Sequence, residues 1–239
     1  YSNVCDIEEI WLIARRAERL SKIVSEFEEK PETHGKAVLR SVPMDIADIG
    51  NIRALDNLLK NSGAEIKLLV NNAGCGVIGD VSDMPAEGQL NMIDVNNKGL
   101  TAVTSVALRY MKRGSGIINV CSIASFAPNP RMTVYCSTKA YVLSFSKSLR
   151  FELKGKGINV LAVCPGPMRT EFLSVAGIEK GTSKAFDTLP YTEPEKVAGG
   201  AVKALLKGRG IYTPGVFFKF YRLLAKILPH GFVMLFSKT

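Results

Sequence analysis

The sequence predicts an α/β fold built on a doubly wound parallel sheet. Short apolar runs of the length of buried strands alternate with longer amphipathic stretches of the length of helices. Apolar residues make up 46% of the 239 residues, which is enough to bury one sizeable core, so a single domain over residues 1–239 is expected. In such a sheet, ligands bind beyond the carboxyl ends of the strands, and functional residues are expected there.

Five apolar runs are predicted to be strands. They read EIWLIA, AVLRSV, IKLLV, GIINV and INVLAV, at residues 9–14, 37–42, 66–70, 116–120 and 158–163. Helices are predicted between them, for instance RAERLSKIVSEFEEK after the first run and VYCSTKAYVLSFSKSLRFELK before the last. This β-α-β-α order is typical of parallel strands joined by helical crossovers.

The net charge of +9 bears on possible partners. An excess of positive charge is compatible with nucleic acid, an anionic membrane surface, or an acidic or phosphorylated small molecule. Basic residues are spread along the chain and interleaved with acidic ones, and no paired Cys/His finger or aromatic RNA-binding strand occurs. A phosphorylated metabolite is therefore preferred, and no nucleic-acid partner is expected.

Cysteine usage and hydropathy bear on the compartment. The five cysteines are scattered, with no C-x-x-C pair and no histidine at metal-ligand spacing, so neither a disulfide framework nor a metal site is predicted. A reducing, cytoplasmic setting is expected. The sequence shows no run of eighteen apolar residues and no secretory signal pattern, so no membrane span is predicted.

Small and polar residues follow three of the predicted strands. In chain order these residues are Asn71, Asn72, Ala73 and Gly74, then Ser122, then Pro165 and Gly166. The first group, taken alone, is most simply an ordinary turn, although small residues also let a ligand approach the backbone. Because the carboxyl ends of parallel strands share one edge of a sheet, the three groups are expected to converge.

Tyr135 and Lys139 lie four positions apart in the predicted helix that follows Ser122. Chance alone predicts about half of one such Tyr-x-x-x-Lys pair in a chain of this composition, so the spacing by itself is weak. Residues four apart share one face of a helix. The phenol and the ammonium are therefore expected to point to the same side, beside the strand end that carries Ser122.

Four motifs follow one another in a specific order. They are NNAG at residues 71–74, VNNKG at 95–99, a serine thirteen residues before the tyrosine of YCSTK, and CPGPMRT at 164–170. Together they resemble the short-chain dehydrogenase/reductase family, over nearly the whole chain. The resemblance implies a Rossmann-type fold, a nicotinamide cofactor, and reversible hydride transfer between a carbonyl and a secondary alcohol.

The resemblance implies catalytic roles for four residues. Tyr135 would be the general acid in reduction and the base in oxidation, and Lys139 would lower the pKa of the phenol and hydrogen-bond the nicotinamide ribose. Ser122 would donate a hydrogen bond to the substrate oxygen. Asn96, which fits the register of the motif better than Asn97, would open a helix and hold a proton-relaying water. The plain alternatives are a solvated lysine, a serine bonded to backbone and, for Asn97, an ordinary polar helix residue.

The resemblance also implies a cofactor site. Arg15 and Arg16 end the first predicted strand, which matches the second strand of the family. There the family usually carries an acid that binds the ribose of NAD, so NADP(H) is favoured over NAD(H). A pair of solvated arginines is the alternative. The other implied cofactor contacts are Asp45 and Ile46 at the adenine, Asn72, Ala73 and Gly74, Pro165 and Gly166, Met168 and Thr170 at the carboxamide, and Tyr135 with Lys139.

One part of the family pattern has no counterpart in the sequence. The family begins with a strand and a glycine-rich turn, T-G-x-x-x-G-x-G, whose amides hold the pyrophosphate. The chain instead opens where the first helix of such a protein ends. A strand and most of a helix are therefore expected upstream of Tyr1, and the alternative is a fragment that lacks the phosphate-binding turn.

Other functions fit the sequence less well. A serine hydrolase needs a G-x-S-x-G elbow and a histidine, but no such elbow occurs, and His34 and His230 lie outside the strand-end residues. A non-catalytic nucleotide-binding or scaffold protein on the same fold remains the alternative, which a turnover assay would distinguish.

The substrate is expected to be a small apolar carbonyl compound or alcohol. Residues 172–192 are predicted to form a lid, and their Phe, Leu, Val and Ala content favours an apolar ligand. The C-terminal stretch resembles those of hydroxysteroid dehydrogenases and 3-oxoacyl reductases, which leaves a steroid or an acyl compound open. An apolar face on the Tyr135 helix, together with the habit of the family, predicts a homodimer or homotetramer.

The chain ends in a predicted amphipathic extension, residues 214–239. The residues GIYTPG, 210–215, overlap the start of this extension and are predicted to form the last strand and the turn that follows it. Aromatic and aliphatic residues then alternate with Lys219, Arg222 and Lys226, and Pro229 interrupts them, so two short helices are predicted. They are interpreted first as a cover for the substrate pocket, then as a subunit contact, and last as a weak contact with an anionic membrane surface.

Overall fold

Parallel strands and helices alternate along the chain in the computed structural model, which describes residues 7–30, 37–177 and 188–236. The strands are β1 (Glu9–Ala14), β2 (Val38–Pro43), β3 (Ile66–Asn71), β4 (Met111–Val120), β5 (Asn159–Val163) and β6 (Ile211–Tyr212). The helices are α1 (Ala17–Glu28), α2 (Ile49–Asn61), α3 (Ala86–Ile93), α4 (Leu100–Ala107), α5 (Thr133–Leu153), α6 (Glu171–Val175), α7 (Pro194–Leu206), α8 (Val216–Ile227) and α9 (His230–Phe236). A π-helical stretch, Asp94–Gly99, joins α3 to α4, and a 3₁₀ turn, Ile123–Ser125, follows β4.

The strands form two parallel sheets. β1 pairs with β2, and β3, β4, β5 and β6 pair in that order. Every pair is parallel, and helices connect the paired strands that follow one another in sequence. The predicted α/β fold is confirmed, and each predicted strand is found at its place, although β4 begins earlier than predicted, at Met111.

β1 and β3 are edge strands of the two sheets. Within the three described stretches of the chain, no strand is hydrogen-bonded between these edges. The sheets nevertheless share a core, in which Trp11 and Ile13 of β1 and Leu69 of β3 pack against α2 and α4. In a Rossmann sheet of strand order 3-2-1-4-5-6 the first strand lies at this position. The strand that the family pattern implies stays a prediction.

The centre of the larger sheet is the most deeply buried part of the chain. Ile117 of β4 and Val160 and Leu161 of β5 have no exposed surface. Because side chains alternate between the faces of a strand, Ile117 and Val160 pack beneath α5, whereas Leu161 packs beneath α7. A sheet covered on both faces holds its carboxyl edge rigidly, and this is where the predicted site lies.

A row of buried polar side chains crosses the sheet near that edge. Asn71 Nδ2 donates to Thr104 Oγ1 at 2.9 Å and to Asn119 Oδ1 at 2.8 Å, and Asn119 Nδ2 donates to Ser146 Oγ at 2.9 Å. The row links α4, β3, β4 and α5. Because a buried polar group that loses its partner is costly, the row fixes both helices against the strands between them.

Two helices, α8 and α9, follow the last strand, as predicted for the extension 214–239. Phe218 of α8 is 1% exposed, and its ring lies so close to Gly166 that a Cβ there would be 2.2 Å from Phe218 Cζ. Ala225 packs with Ala127, a residue of the segment after β4. The inner face of α8 therefore lies against the Pro-Gly turn. No helix in the described part of the chain is long and apolar enough to cross a membrane.

Adjacent glycines in α7 provide a matched test of its packing. In Gly199→Ala the added methyl group meets no atom within 4 Å, so better helix propensity should raise the free energy of unfolding by about 0.5–1 kcal/mol. In Gly200→Ala the methyl group would lie 2.0 Å from Tyr212 Oη of β6. This overpacking should lower the free energy of unfolding by about 1–3 kcal/mol. Denaturant unfolding of both variants measures the difference, and equal effects would contradict the packing of α7 against β6.

Candidate active site

The carboxyl ends of β3, β4 and β5 lie side by side. Cys121 N–H donates to Val163 O at 2.8 Å, and Ile123 N–H donates to Pro165 O at 2.9 Å, so the chain after β4 stays bound to the chain after β5. At the last residue of β3, Asn71 is in register with Asn119 of β4. The structure therefore brings the residues that follow all three strands to one edge.

Tyr135 and Lys139 lie on one face of α5, and both are buried, with 7% and 5% of their surface exposed. Lys139 Nζ donates to Val120 O, at the last residue of β4, at 3.0 Å. The same nitrogen lies 5.8 Å from the centroid of the Tyr135 ring. The interpretation of Lys139 as a solvated helix lysine is wrong, because its ammonium group is enclosed beside the strand end.

Ser122 lies between β4 and the 3₁₀ turn, and its hydroxyl group is bonded to the backbone of that turn. Ser122 Oγ accepts a hydrogen bond from Ala124 N–H at 3.1 Å, and the Ser122 side chain is near enough to Tyr135 to lower the pKa of the phenol. The interpretation of this serine as a hydroxyl group bonded to backbone is confirmed. Its hydrogen bond to the substrate oxygen stays a prediction.

Burial determines the protonation of the pair on α5. It raises the pKa of the Tyr135 phenol well above the ordinary value, and the nearby Ser122 side chain opposes this only in part. Burial also lowers the pKa of the Lys139 ammonium. The lowering of the Tyr135 pKa by Lys139 stays a prediction, because the loss of solvent around the phenol is the largest influence here and raises that pKa. Tyr135 is held as a neutral phenol.

Asn96 lies in the π-helical stretch and binds the backbone that follows β3. Its Oδ1 accepts from Cys75 N–H and its Nδ2 donates to Cys75 O, both at 2.9 Å, and Nδ2 also donates to Thr138 Oγ1 at 3.0 Å. The helix is therefore opened at the position that the motif marks, since π-helical turns are wider than α-helical ones. The proton-relaying role of Asn96 stays a prediction.

Asn97 is not the ordinary polar helix residue that was expected. Its Nδ2 donates to Thr138 O at 3.3 Å, which ties the π-helical stretch to α5. Its Oδ1 is buried, with no hydrogen-bond partner among the described residues. Asn97 therefore contributes to packing between helices rather than to the polar surface.

Asn72, Ala73 and Gly74 are exposed at the end of β3. A Cβ on Gly74 would lie 3.1 Å from Asn96 Oδ1 and 3.3 Å from Lys139 Nζ. The glycine thus leaves polar groups of two buried side chains close to an uncovered stretch of backbone. A ligand on this edge could contact the backbone and both side chains together.

Arg16 and Arg19 hold one carboxylate between them. Arg16 Nη2 lies 3.4 Å from Glu171 Oε2, and both terminal nitrogens of Arg19 are hydrogen-bonded to the Glu171 carboxylate. The hydrogen bond from Arg19 is the main reason why the pKa of Glu171 is lowered to about 2. The two arginines at the start of α1 therefore form a site for an anionic group.

The other residues predicted for the adenosine end lie apart from this pair. Arg15 Nη1 lies 3.9 Å from Asp45 Oδ2, so Arg15 faces Asp45 rather than Glu171. Ile46 lies against Gly99, where a Cβ would be 2.8 Å from Ile46 Cγ1, and thereby supports the π-helical stretch. The structure thus brings Arg16 to the anion site and leaves Arg15 outside it.

The residues of the Pro-Gly turn are divided between the core and the surface. Pro165 and Gly166 are buried, and Gly166 lies against Phe218. Met168 is half-buried and forms a parallel bridge with Thr192. Thr170 is exposed just before α6.

The first turn of the predicted lid reaches the tyrosine. The ring centroids of Phe172 and Tyr135 are 5.6 Å apart, and both rings lie against Gly76, where a Cβ would be 2.8 Å from Phe172 Cζ. Of the predicted lid, residues 172–192, residues 178–187 lie outside the described part. The described part contributes an aromatic ring to the surroundings of the phenol.

Sequence reasoning missed three residues of this edge, namely Arg19, Glu171 and Phe172. Arg19 lies three residues after Arg16, and that helical spacing is a signal from which it could have been found. Glu171 lies 152 residues from Arg19 along the chain, so no local pattern marks their contact. Phe172 was included only as part of the lid, without a contact to Tyr135.

Together these features fit a dinucleotide cofactor along the carboxyl edge. A cationic site lies at the start of α1, an uncovered backbone stretch with polar neighbours lies after β3, and a buried phenol and ammonium lie on α5. In that order, the polar groups of these three features match a phosphate, ribose hydroxyl groups and a reacting carbonyl. A parallel α/β sheet with this set at its edge defines a nicotinamide-dependent oxidoreductase.

The chain belongs to the short-chain dehydrogenase/reductase family, since the family pattern described as "short chain dehydrogenase" matches residues 7–180. It is 33% identical over 194 residues to sulfoacetaldehyde reductase 2 of Chromohalobacter salexigens, covering 78% of this chain and 74% of that protein. It is 34% identical over 186 residues to the NADP-dependent 3-hydroxy acid dehydrogenase of Schizosaccharomyces pombe, covering 77% and 70%. The chain is an NAD(P)-dependent oxidoreductase that acts on CH–OH or C=O groups.

Two further similarities differ in what they show. The probable oxidoreductase EphD of Mycobacterium tuberculosis is 30% identical over 183 residues, but the chain spans only 31% of its length. The structure of a short-chain dehydrogenase from Sphingobium yanoikuyae in complex with NADPH matches with a TM-score of 0.76, covering 94% of this chain and 85% of that one. At 24% identity, this second match shows the fold alone.

Proposed function

We propose that this enzyme interconverts a ketone and a secondary alcohol on an apolar substrate, a hydroxysteroid, ketosteroid or 3-oxoacyl compound, and that it uses NADP(H). One observation carries the proposal. The buried phenol of Tyr135 and the buried ammonium of Lys139 lie on one face of α5, at the strand end that carries Ser122. A donor pair beside a buried cation is the arrangement that carbonyl reduction requires.

In the reducing direction, Tyr135 donates its phenolic proton to the substrate oxygen. Its raised pKa keeps that proton in place until negative charge develops on the oxygen. Ser122 donates a second hydrogen bond to the same oxygen and stabilises the developing charge. The bound nicotinamide supplies the hydride when reduced and accepts it when oxidised.

Lys139 and Asn96 support this proton transfer. The Lys139 ammonium is held on Val120 O, where it would bind the hydroxyl groups of the nicotinamide ribose, and a water near Asn96 would connect it to solvent. A proton can thus return to Tyr135 after each reduction. Oxidation of an alcohol uses the same groups in reverse and requires Tyr135 as the phenolate base, which the Lys139 ammonium would stabilise.

The preference for NADP(H) rests on the anion site of Arg16 and Arg19. These arginines already bind a carboxylate, that of Glu171, and a 2′-phosphate would take its place. One curated relative, the enzyme from Schizosaccharomyces pombe, is named as NADP-dependent. Arg15 contributes less, because it faces Asp45.

The apolar substrate class is supported by the surroundings of the phenol. Met92, Met132, Ile78 and Phe172 pack around Tyr135. Such surroundings favour a ketone with apolar substituents over a charged one. A hydroxy acid or a sulfonated aldehyde, named for the two relatives, is the competing class and belongs in the same assay panel.

Subunit association and a covered pocket complete the proposal. α5 exposes Tyr141 at 43% and Phe151 at 82%, and these side chains support a homodimer or homotetramer formed through that helix. The inner face of α8 supports the pocket-cover role of the extension, since Phe218 lies on Gly166 of the Pro-Gly turn.

Tyr135→Phe tests the proposed function directly. Turnover of ketosteroids and 3-oxoacyl thioesters should fall by about 10²–10⁴-fold, because the variant lacks only the transferable proton, while cofactor binding stays unchanged. Tyr141→Phe is the control in the same helix, since its hydroxyl group lies 2.9 Å from Thr101 Oγ1, away from the site. Most of the activity remaining in Tyr135→Phe would refute the proposed mechanism.

Arg16→Ala combined with Arg19→Ala tests the cofactor preference. Binding of NADPH, followed by fluorescence titration, should weaken by about tenfold or more, whereas binding of NADH should change little, because only NADPH carries the 2′-phosphate. Arg109→Ala is the control, since this exposed arginine pairs with Asp56 at 2.9 Å instead. An equal loss for the two cofactors would show that the pair does not recognise the 2′-phosphate.

A further inference from the structure

The outer side of α8 is apolar and exposed. Val216, Phe220, Leu223 and Ile227 form what we call the outer ridge, and they are 81%, 59%, 52% and 68% exposed. Their spacing of four, three and four residues places them in one row along the helix. The ridge lies opposite the inner face, where Phe218 and Ala225 are buried.

This arrangement departs from that of an ordinary surface helix. Such a helix has one apolar stripe, which faces the core, and polar residues on the opposite side. α8 has its apolar stripe against the core and a second one facing outward. A contiguous exposed apolar surface of this kind marks a site of interaction with another partner.

Positive charge accompanies the ridge. Lys219 and Lys226 lie seven residues apart on one flank of it, and both are exposed. The last acidic residue of the sequence is Glu195, and residues 196–239 contain eight basic residues and no acidic one. Residues 1–195 contain the remaining 23 of 31 basic residues and all 22 acidic ones, a net charge of only +1. The expectation that basic and acidic residues are interleaved therefore fails for the C-terminal part.

We propose that the outer ridge binds an anionic lipid surface, with α8 lying parallel to it. Phe220 and Leu223 would enter the boundary between headgroups and acyl chains, and Lys219 and Lys226 would reach the anionic headgroups with their flexible stems. The inner face of α8 stays on the protein core throughout, because Phe218 remains packed against Gly166. The chain thus lies on the membrane through one face of one helix.

Charge favours lipid over a second copy of the chain. In a symmetric dimer formed through this ridge, the flanking lysines of both copies would approach one another. The stretch 196–239 offers no carboxylate side chain to compensate them. Nucleic acid fits less well, because an aliphatic and aromatic ridge offers nothing to a phosphate backbone. An anionic lipid surface accepts both the apolar row and the lysines.

Vesicle cosedimentation of the complete chain tests the proposal. Wild-type protein should bind vesicles of phosphatidylcholine with about one third phosphatidylserine, should not bind phosphatidylcholine alone, and should be released by high salt. Phe220→Ser with Leu223→Ser, and separately Lys219→Glu with Lys226→Glu, should each weaken binding by about tenfold or more. The matched control is Leu58→Ser with Leu90→Ser, two leucines that are 41% and 60% exposed on other helices. Thermal unfolding of every variant shows whether it is folded.

Three results would overturn the proposal. The first is wild-type protein that stays in the supernatant with phosphatidylserine vesicles. The second is a folded ridge variant that binds as the wild type does. The third is a ridge variant whose molar mass in light scattering differs from that of wild-type protein, while wild-type protein does not bind vesicles. That result would make a second copy of the chain the partner of the ridge.

Discussion

The hydrogen bond from Lys139 Nζ to Val120 O fixes the geometry on which the candidate site depends. It joins α5 to the carboxyl end of β4, and its donor is a buried ammonium group. Burying a charge without a partner is costly, so the strand-end carbonyl constrains where α5 can lie. Tyr135 is one turn away from Lys139 on α5, and Ser122 is two residues beyond Val120. The same contact therefore brings the phenol and the hydroxyl group together.

Two further sets of hydrogen bonds fix the residues around this contact. The polar row from Thr104 through Asn71 and Asn119 to Ser146 ties α4 and α5 to the strands below the edge. Asn96 binds both backbone groups of Cys75 from the π-helical stretch, and so fixes the chain that leaves β3. Burial then keeps the phenol of Tyr135 protonated. The position and the protonation state of Tyr135 thus both follow from how the helices pack against the sheet.

Much of the fold and part of the site follow from local sequence. Buried parallel strands are continuous apolar runs, so β1 to β5 could be predicted from composition alone. The pairing of Tyr135 with Lys139 follows from helical periodicity, and the strand-end position of Ser122 follows from the end of an apolar run. Parallel strands necessarily bring these ends to one edge, which is why the convergence could be predicted without a structure.

The remaining features depend on contacts between distant parts of the chain. The anion site joins Arg19 to Glu171 across 152 residues, and no local pattern encodes that distance. The direction of the pKa shift of Tyr135 depends on how much solvent the folded chain removes, which an isolated Tyr-x-x-x-Lys motif does not specify. The outward ridge of α8 could be recognised only when the buried face of that helix was known, because both faces are apolar.

The most direct test of this account is a spectrophotometric titration of Tyr135 in cofactor-free protein. The tyrosinate absorbance of wild-type protein minus that of Tyr135→Phe isolates this single phenol among the seven tyrosines. Because burial raises its pKa, no tyrosinate should appear in the difference while the pH rises from neutrality through the ordinary tyrosine value of about 10. A tyrosinate signal that appears below about pH 8 would show that Tyr135 is an activated phenolate, and would contradict the account.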